Sequence, residues 1–165
     1  MPIKLCNNVP MQLSKFTDYA LRTLLHLAMA DGRLLSTKDI AGVHDAKYNH
    51  LAKVTQWLAT EGYIETIRGR SGGMRLANSA EDINIGKMVR KLENQSSLVE
   101  CMQGDGGNCR LSSACGLSVA LRKAQDAFFN VLDEFSLADL ITAHPGMINL
   151  LLSINLENAT SINRA

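Results

Sequence analysis

Three cysteines, Cys101, Cys109 and Cys115, fall within one glycine-rich stretch, ECMQGDGGNCRLSSAC. Thiolates ligate zinc and iron–sulfur clusters, and spacing helps to tell these apart. The pattern here is C-x7-C-x5-C, with Gly104, Gly106 and Gly107 inside the first interval. Structural zinc sites use paired C-x2-C knuckles, and none is present. Wide intervals in a flexible loop suit a larger object such as an iron–sulfur cluster, whose negative charge Arg110 and the loop N–H groups could offset. Free structural cysteines are mostly buried as small hydrophobes, whereas these three stand beside Gly, Asn, Asp and Ser. Three thiolates leave a four-iron cluster one ligand short. No cysteine follows Cys115, Ser118 occupies the third position after it, and Cys6 lies upstream of Met11. The fourth ligand must come from elsewhere, another subunit included. A [4Fe–4S] cluster is the first expectation, and [2Fe–2S] stays open because three thiolates and an oxygen would serve it as well.

A second set of residues suits nucleic acid. Tyr48, Asn49, His50, Lys53 and Gln56 share one face of a segment, AKYNHLAKVTQWLATEGY, whose Leu51, Val54 and Leu58 form the opposite face. Asn and Gln can pair bidentately with adenine, and Lys can hold a phosphate oxygen. Arg68, Arg70 and Arg75 cluster in and beside RGRSGG, where glycines allow close approach to a groove and Arg70 is placed for minor-groove insertion.

The elements that position these residues follow from periodicity. A helix is expected over about Thr17–Ala30, ended by Asp31-Gly32. Ser36 and Asp39 form a capping-box-like pair before a short second helix, and Asp45 precedes the third. The period then changes to two: YIETI and MRLA flank the basic turn and predict a hairpin. Three short helices followed by a hairpin make a winged helix-turn-helix. A further helix is expected over 80–93. A longer one over about 117–135 carries Leu117, Leu121, Ala124, Phe128, Val131, Leu132 and Phe135 as an apolar stripe. That stripe leads to no further globular domain and needs a partner, most economically a twin helix. SLADLI adds one turn capped by Ser136.

The expected fold is therefore mainly α with a small β-hairpin. Its divisions are an extension at 1–10, a winged-helix DNA-binding domain at 11–78, a connecting helix and cluster loop at 79–116, a dimerisation helix at 117–142 and a tail at 143–165. Composition agrees: the 165 residues are 46% hydrophobic and 20% charged, with net charge +1. Residues 11–76 carry nine Lys/Arg against six Asp/Glu, and residues 77–165 carry seven against ten. A basic front and an acidic back suit DNA binding at one end and assembly at the other. No run of 18 apolar residues marks a membrane span, and the N-terminus lacks the apolar core of a signal peptide, so a cytoplasmic protein is expected. There, four cysteines point to metal or redox chemistry rather than disulfides. An enzyme is not expected: G-x-S-x-G, H-E-x-x-H and P-loop patterns are absent, and His26, His44, His50 and His144 form no ligand spacing.

Six segments in order, MQLSKFTDYALRTLLHLA, IRGRSGGMRLA, INIGKMVRKLE, LVEC, ACGLSVAL and FSLADLI, resemble a family of dimeric winged-helix iron–sulfur regulators. The resemblance covers roughly residues 11–142. It implies a homodimer joined through the helix at 117–135, with the cluster held by Cys101, Cys109 and Cys115. In the branch that senses nitric oxide, a carboxylate in the FTD segment completes the site from the other subunit; here that is Asp18. In the branch that regulates cluster assembly, a histidine stands three residues after the last cysteine, where this chain has Ser118. The seven-residue first interval is longer than usual. The extension with Cys6 lies outside the pattern, and Met11 is an alternative first residue.

The implied function is an iron–sulfur-dependent repressor on inverted-repeat promoter DNA, relieved by nitric oxide. A carboxylate is a hard, weak ligand for cluster iron and leaves that iron open to a diatomic molecule. Arg22, one turn after Asp18, and Glu93, just before the cluster loop, are expected to orient that ligand. The alternatives are a regulator sensing cluster supply or oxidative stress, and, from another class, a small electron-transfer or iron–sulfur scaffold protein.

Overall fold

A computed structural model describes residues 12–69, 72–93, 98–99, 102, 109–111, 115–144 and 146–147. The extension at 1–10 with Cys6, the ligand Cys101, the wing residue Arg70 and the tail from 148 onward lie outside the described residues.

Helix α1 spans Lys15–Met29. It starts two residues earlier than the apolar stripe suggests, because Ser14 caps it by accepting the Thr17 N–H. Helix α2, Thr37–Val43, opens on the expected capping box of Ser36 and Asp39. Helix α3, Tyr48–Thr60, does not use Asp45 as its cap. Asp45 instead takes a left-handed φ of 46° in the turn, and Lys47 stands at the N-cap with no side-chain bond. Ala46 N–H closes that turn onto Ala41 O at 3.0 Å.

Strands β1, Ile64–Ile67, and β2, Gly73–Leu76, pair antiparallel with Ile64 opposite Leu76 and Ile67 opposite Gly73. Gly69, at φ 122°, turns the chain between them through backbone space closed to other residues. Met74 also bridges to Leu35, which ties the wing to the segment before α2. One core joins the three helices to the hairpin: Leu24, Leu27, Ile40, Leu51, Val54, Leu58, Ile64 and Met74 are all buried. This is a winged helix.

The expected helix at 80–93 divides. A single 3-10 turn covers Ala80–Asp82, and α4 runs over Ile85–Leu92 under an Asn84 cap. Ile85, Met88 and Val89 extend the same core. Helix α5 spans Gly116–Asp133 and α6 spans Leu137–Thr142, the latter under a second capping box of Ser136 and Asp139. The C-terminal end of α5 is fastened to α4. Asn84 donates to Asp133 O at 2.7 Å, Ile85 N–H donates to Phe135 O at 2.9 Å, and Arg90 bonds the Asp133 carboxylate. Leu137 of α6 is fully buried in the core.

Candidate DNA-reading face and metal site

The reading face is built by α3. Leu51, Val54 and Leu58 anchor one side of the helix in the core, and geometry leaves Tyr48, Asn49, His50, Lys53 and Gln56 in solvent. Tyr48 is 57% exposed, a large ring presented with nothing packed over it among the described residues. The five expected side chains therefore share a surface. Arg68 is exposed at the end of β1. Arg75 is exposed too, and its guanidinium is tied across the hairpin to Glu65. Both arms of the wing thus carry cations, although one is already ion-paired.

The metal-site residues divide among three elements. Cys109 and Cys115 are free thiols of intermediate exposure. Cys115 stands at the N-cap of α5, and its side chain makes no capping bond, so its sulfur is not used to start that helix. Ser118 does have a local role: it is buried, and its hydroxyl donates to Cys115 O at 2.8 Å. Its oxygen is occupied in the first turn of α5. Arg110 is exposed between the two cysteines. Among the described residues no three His, Cys, Asp or Glu side chains converge as metal ligands. The donor set nonetheless suits a thiolate-ligated cluster: two free, partly exposed thiols stand six positions apart in sequence, one of them at the head of α5.

Asp18 lies in the first turn of α1, half-buried, with its carboxylate 2.8 Å from Arg22 Nε one turn on. Glu93 ends the helix before the cluster loop, as expected. It caps the end of α4, is buried, and accepts the Ser14 N–H at 2.8 Å and the Thr17 hydroxyl. Through these two bonds it reaches the neighbours of Asp18 in the first turn of α1. The residue at the root of the cluster loop thus holds the start of α1 in its own subunit.

Sequence reasoning missed a pair of histidines. His26 of α1 and His44, at the C-cap of α2, bring their rings to 4.7 Å between centroids, tilted by 57°. Both Nε2 atoms are buried without a hydrogen-bond partner among the described residues. Burial first, and His44 second, lowers the His26 pKa from its ordinary 6.5 to about 4. Burial also lowers that of His44; the Arg22 charge pushes the same way and Asp18 opposes it. Eighteen residues separate the two in sequence, so no local spacing flags them. The only hint is that His26 follows Thr23 and accompanies Leu27 on the buried side of α1.

Helix α5 keeps much of its stripe bare. Leu117, Val119, Phe128, Val131 and the following Phe135 are exposed, while Phe129 and Leu132 pack toward the core. Leu132 therefore leaves the expected stripe. What remains, Leu117, Leu121, Ala124, Phe128, Val131 and Phe135, is spaced four-three-four-three-four, the seam of two packed helices. Beside it a hollow of about 240 Å³ opens between α5 and the start of α1, lined chiefly by Leu13, Leu98, Ala124, Phe128 and Phe129.

Residues 13–143 match the family described as Rrf2, iron-dependent transcriptional regulator. The chain is 46% identical over 132 residues to the HTH-type transcriptional regulator NsrR of Bacillus licheniformis, covering 79% of this chain and 92% of that protein. It is 44% identical over 142 residues to NsrR of Bacillus subtilis, covering 86% and 97%. Among solved structures, IscR of T. potens superposes with a TM-score of 0.64 at 22% identity, over 81% of this chain and 88% of that one. CymR (YrzC), the global cysteine regulator of B. subtilis, superposes with a TM-score of 0.62 at 27% identity, over 81% and 98%.

Proposed function

The chain belongs to the Rrf2 family of iron-dependent transcriptional regulators, and from that premise we propose a cytoplasmic homodimeric repressor whose hold on inverted-repeat promoter DNA is relieved by nitric oxide. The family is regulatory, which sets aside an enzymatic role and the electron-carrier alternative. No helix among the described residues is long and apolar enough to cross a membrane.

One observation carries the reading: an exposed recognition face on α3 and two free thiols at the head of α5 occur in the same chain as a bare helical seam. Residues 11–78 read DNA, 79–116 hold the metal site and 117–142 pair two copies. Tyr48, Asn49 and Gln56 face base edges; His50 and Lys53 face the backbone; Arg68, Arg70 and Arg75 follow the adjacent groove. Dimerisation through the α5 seam sets the distance between two α3 helices, which must match half-sites about 34 Å apart.

Cys101, Cys109 and Cys115 hold an iron–sulfur cluster, [4Fe–4S] by preference, with Asp18 of the second subunit as the fourth ligand. When bound, the cluster supplies an iron whose weak oxygen ligand yields to nitric oxide. The chain's own residues do the rest. Arg22 orients the Asp18 carboxylate, and Glu93 fixes the first turn of α1 through Ser14 and Thr17. Release of Asp18 frees α1, and with it the winged helix, from the other subunit. The site of Ser118 favours this reading over a regulator of cluster supply with a ligand at that position, because the Ser118 oxygen is buried on Cys115 O.

The test is anaerobic purification, selection of bound duplexes from a random library, and measurement of affinity before and after stoichiometric nitric oxide. A coloured protein with iron and sulfide, whose affinity collapses on nitric oxide, is expected. Unchanged affinity overturns nitric-oxide sensing; a colourless protein with stoichiometric zinc overturns the cluster.

A further inference from the structure

Between the first turn of α1 and the N-terminal half of α3 lies a hollow of about 120 Å³, lined by Lys15, Phe16, Tyr19, His50, Lys53 and Val54. By liquid volume it holds about four waters, the size class of a phosphate group. Phe16 and the buried Val54 give it apolar lining, and Lys15, Tyr19, His50 and Lys53 are the lining residues that carry polar groups. No carboxylate lines it.

The charges around it are uncompensated. Arg22, Arg75, Arg90 and Lys91 each pair with a carboxylate, whereas among the described residues neither Lys15 nor Lys53 does. Asp18, the nearest acid in sequence, is turned to Arg22. A hollow lined by residues of two helices that include two lysines without a carboxylate partner among the described residues suits an anion that brings its own charge.

We propose that this hollow is a clamp for one DNA backbone phosphate, in which Lys15 and Tyr19 of α1 join His50 and Lys53 of α3. The assignment rests on the DNA-binding reading and extends it to a helix that carries none of the residues first expected to touch DNA. Lys53 and His50 lie one turn apart on the edge of α3 that faces α1. A recognition helix seated in a major groove about 12 Å wide has phosphates along both edges. The phosphate on the α1 side meets this hollow.

The clamp also gives the signal a short route. Lys15 and Tyr19 form one stripe of α1, and Asp18 and Arg22 form the next, about 60° round the helix at 100° per residue. The turn that offers Asp18 to the second subunit therefore holds half of a phosphate site. Any tilt of α1 against α3 opens or closes the hollow.

The test uses the full-length, cluster-loaded dimer and a duplex recovered by selection with the wild-type protein. Binding is followed against salt, and single methylphosphonates are placed along the duplex to find the phosphates that matter. Lys15→Gln is expected to flatten the slope of log affinity against log salt by about 2 for the dimer, at roughly 0.9 per phosphate contact. It should also abolish the penalty of one flanking methylphosphonate that weakens the wild type. Lys15→Arg should restore both, and Tyr19→Phe should weaken binding about tenfold without changing base preference. An unaltered salt slope together with an unaltered methylphosphonate penalty in Lys15→Gln overturns the clamp while leaving DNA binding intact. If the wild-type protein itself enriches no duplex, the DNA-binding reading fails and the clamp fails with it.

Discussion

Replacing His26 by Leu should remove much of an acid sensitivity that the wild-type fold shows between about pH 7.5 and pH 5. The buried imidazole has a pKa of about 4 in the folded chain against an ordinary 6.5. Above about pH 7.5 it is neutral whether the chain is folded or not, and it contributes no pH dependence. Between about 6.5 and 4 the unfolded chain takes up a proton that the folded chain refuses, so stability falls as pH falls. Below about 4 the loss is complete and constant. At about pH 5 this amounts to roughly 2 kcal/mol per subunit, since tenfold in protonation is about 1.36 kcal/mol. His44 is lowered as well, so its contribution has the same sign. The assay is urea unfolding followed by circular dichroism at several pH values, with protein concentration fixed because any self-association adds to apparent stability. Carboxylate titrations are common to both proteins and cancel in the difference between them. If His26→Leu loses as much stability as the wild type over that interval, the buried imidazole is not the origin of the acid sensitivity.

Gly86→Ala should destabilise the fold by about 1–3 kcal/mol through overpacking. The added Cβ would stand 2.2 Å from Asp133 Oδ1 and 2.5 Å from Asp133 N, and urea midpoints of the two proteins measure the cost. Asp18→Ala should leave unfolding nearly unchanged, because an exposed i,i+4 pair is worth about 0.3–0.5 kcal/mol, yet should bleach the cluster absorption several-fold faster in air. Equal bleaching rates would remove Asp18 from the site. Lys53→Ala should weaken binding to all duplexes alike, whereas Asn49→Ala should change which bases are preferred at one position by about 1–3 kcal/mol. Identical behaviour of the two would refute the division between phosphate and base contacts.

The winged helix was legible in the chain because its signals are local. Ser36 and Asp39 announce α2, Leu51, Val54 and Leu58 orient α3, and the switch to period two around RGRSGG marks the hairpin. Asp45, which precedes the third helix, has a short polar side chain that suits a left-handed turn as well as a cap, and the structure uses it in the turn onto Ala41. The break before α4 is hidden in the sequence: Ser79 makes no capping bond to the 3-10 turn, whereas Asn84 accepts the Lys87 N–H, so helical pairing restarts there. Leu132 left the seam because α5 leans on α4 through Asp133 and Phe129, a tertiary contact that helical period alone does not carry. The same holds for Glu93, whose partners Ser14 and Thr17 lie more than seventy residues away. Of the metal site, the cysteine spacing was visible at once, but the incompleteness of the ligand set within one chain had to be inferred.

Asp18 and Arg22 stand 2.8 Å apart along one helix, both in contact with water. In the proposed assignment, where Asp18 is offered as a ligand across the subunit boundary, this pairing would make two cations rivals for one carboxylate. An exposed ion pair is too weak to keep the carboxylate from iron, yet it gives a departing ligand somewhere to rest. A ligand released into bare solvent would leave behind an ordering cost to be met again at every return. Parked on a guanidinium one turn away, it stays close to its working position. On the proposed assignment the iron would hold the carboxylate while the cluster is intact, and Arg22 would keep it near that position until the cluster is rebuilt.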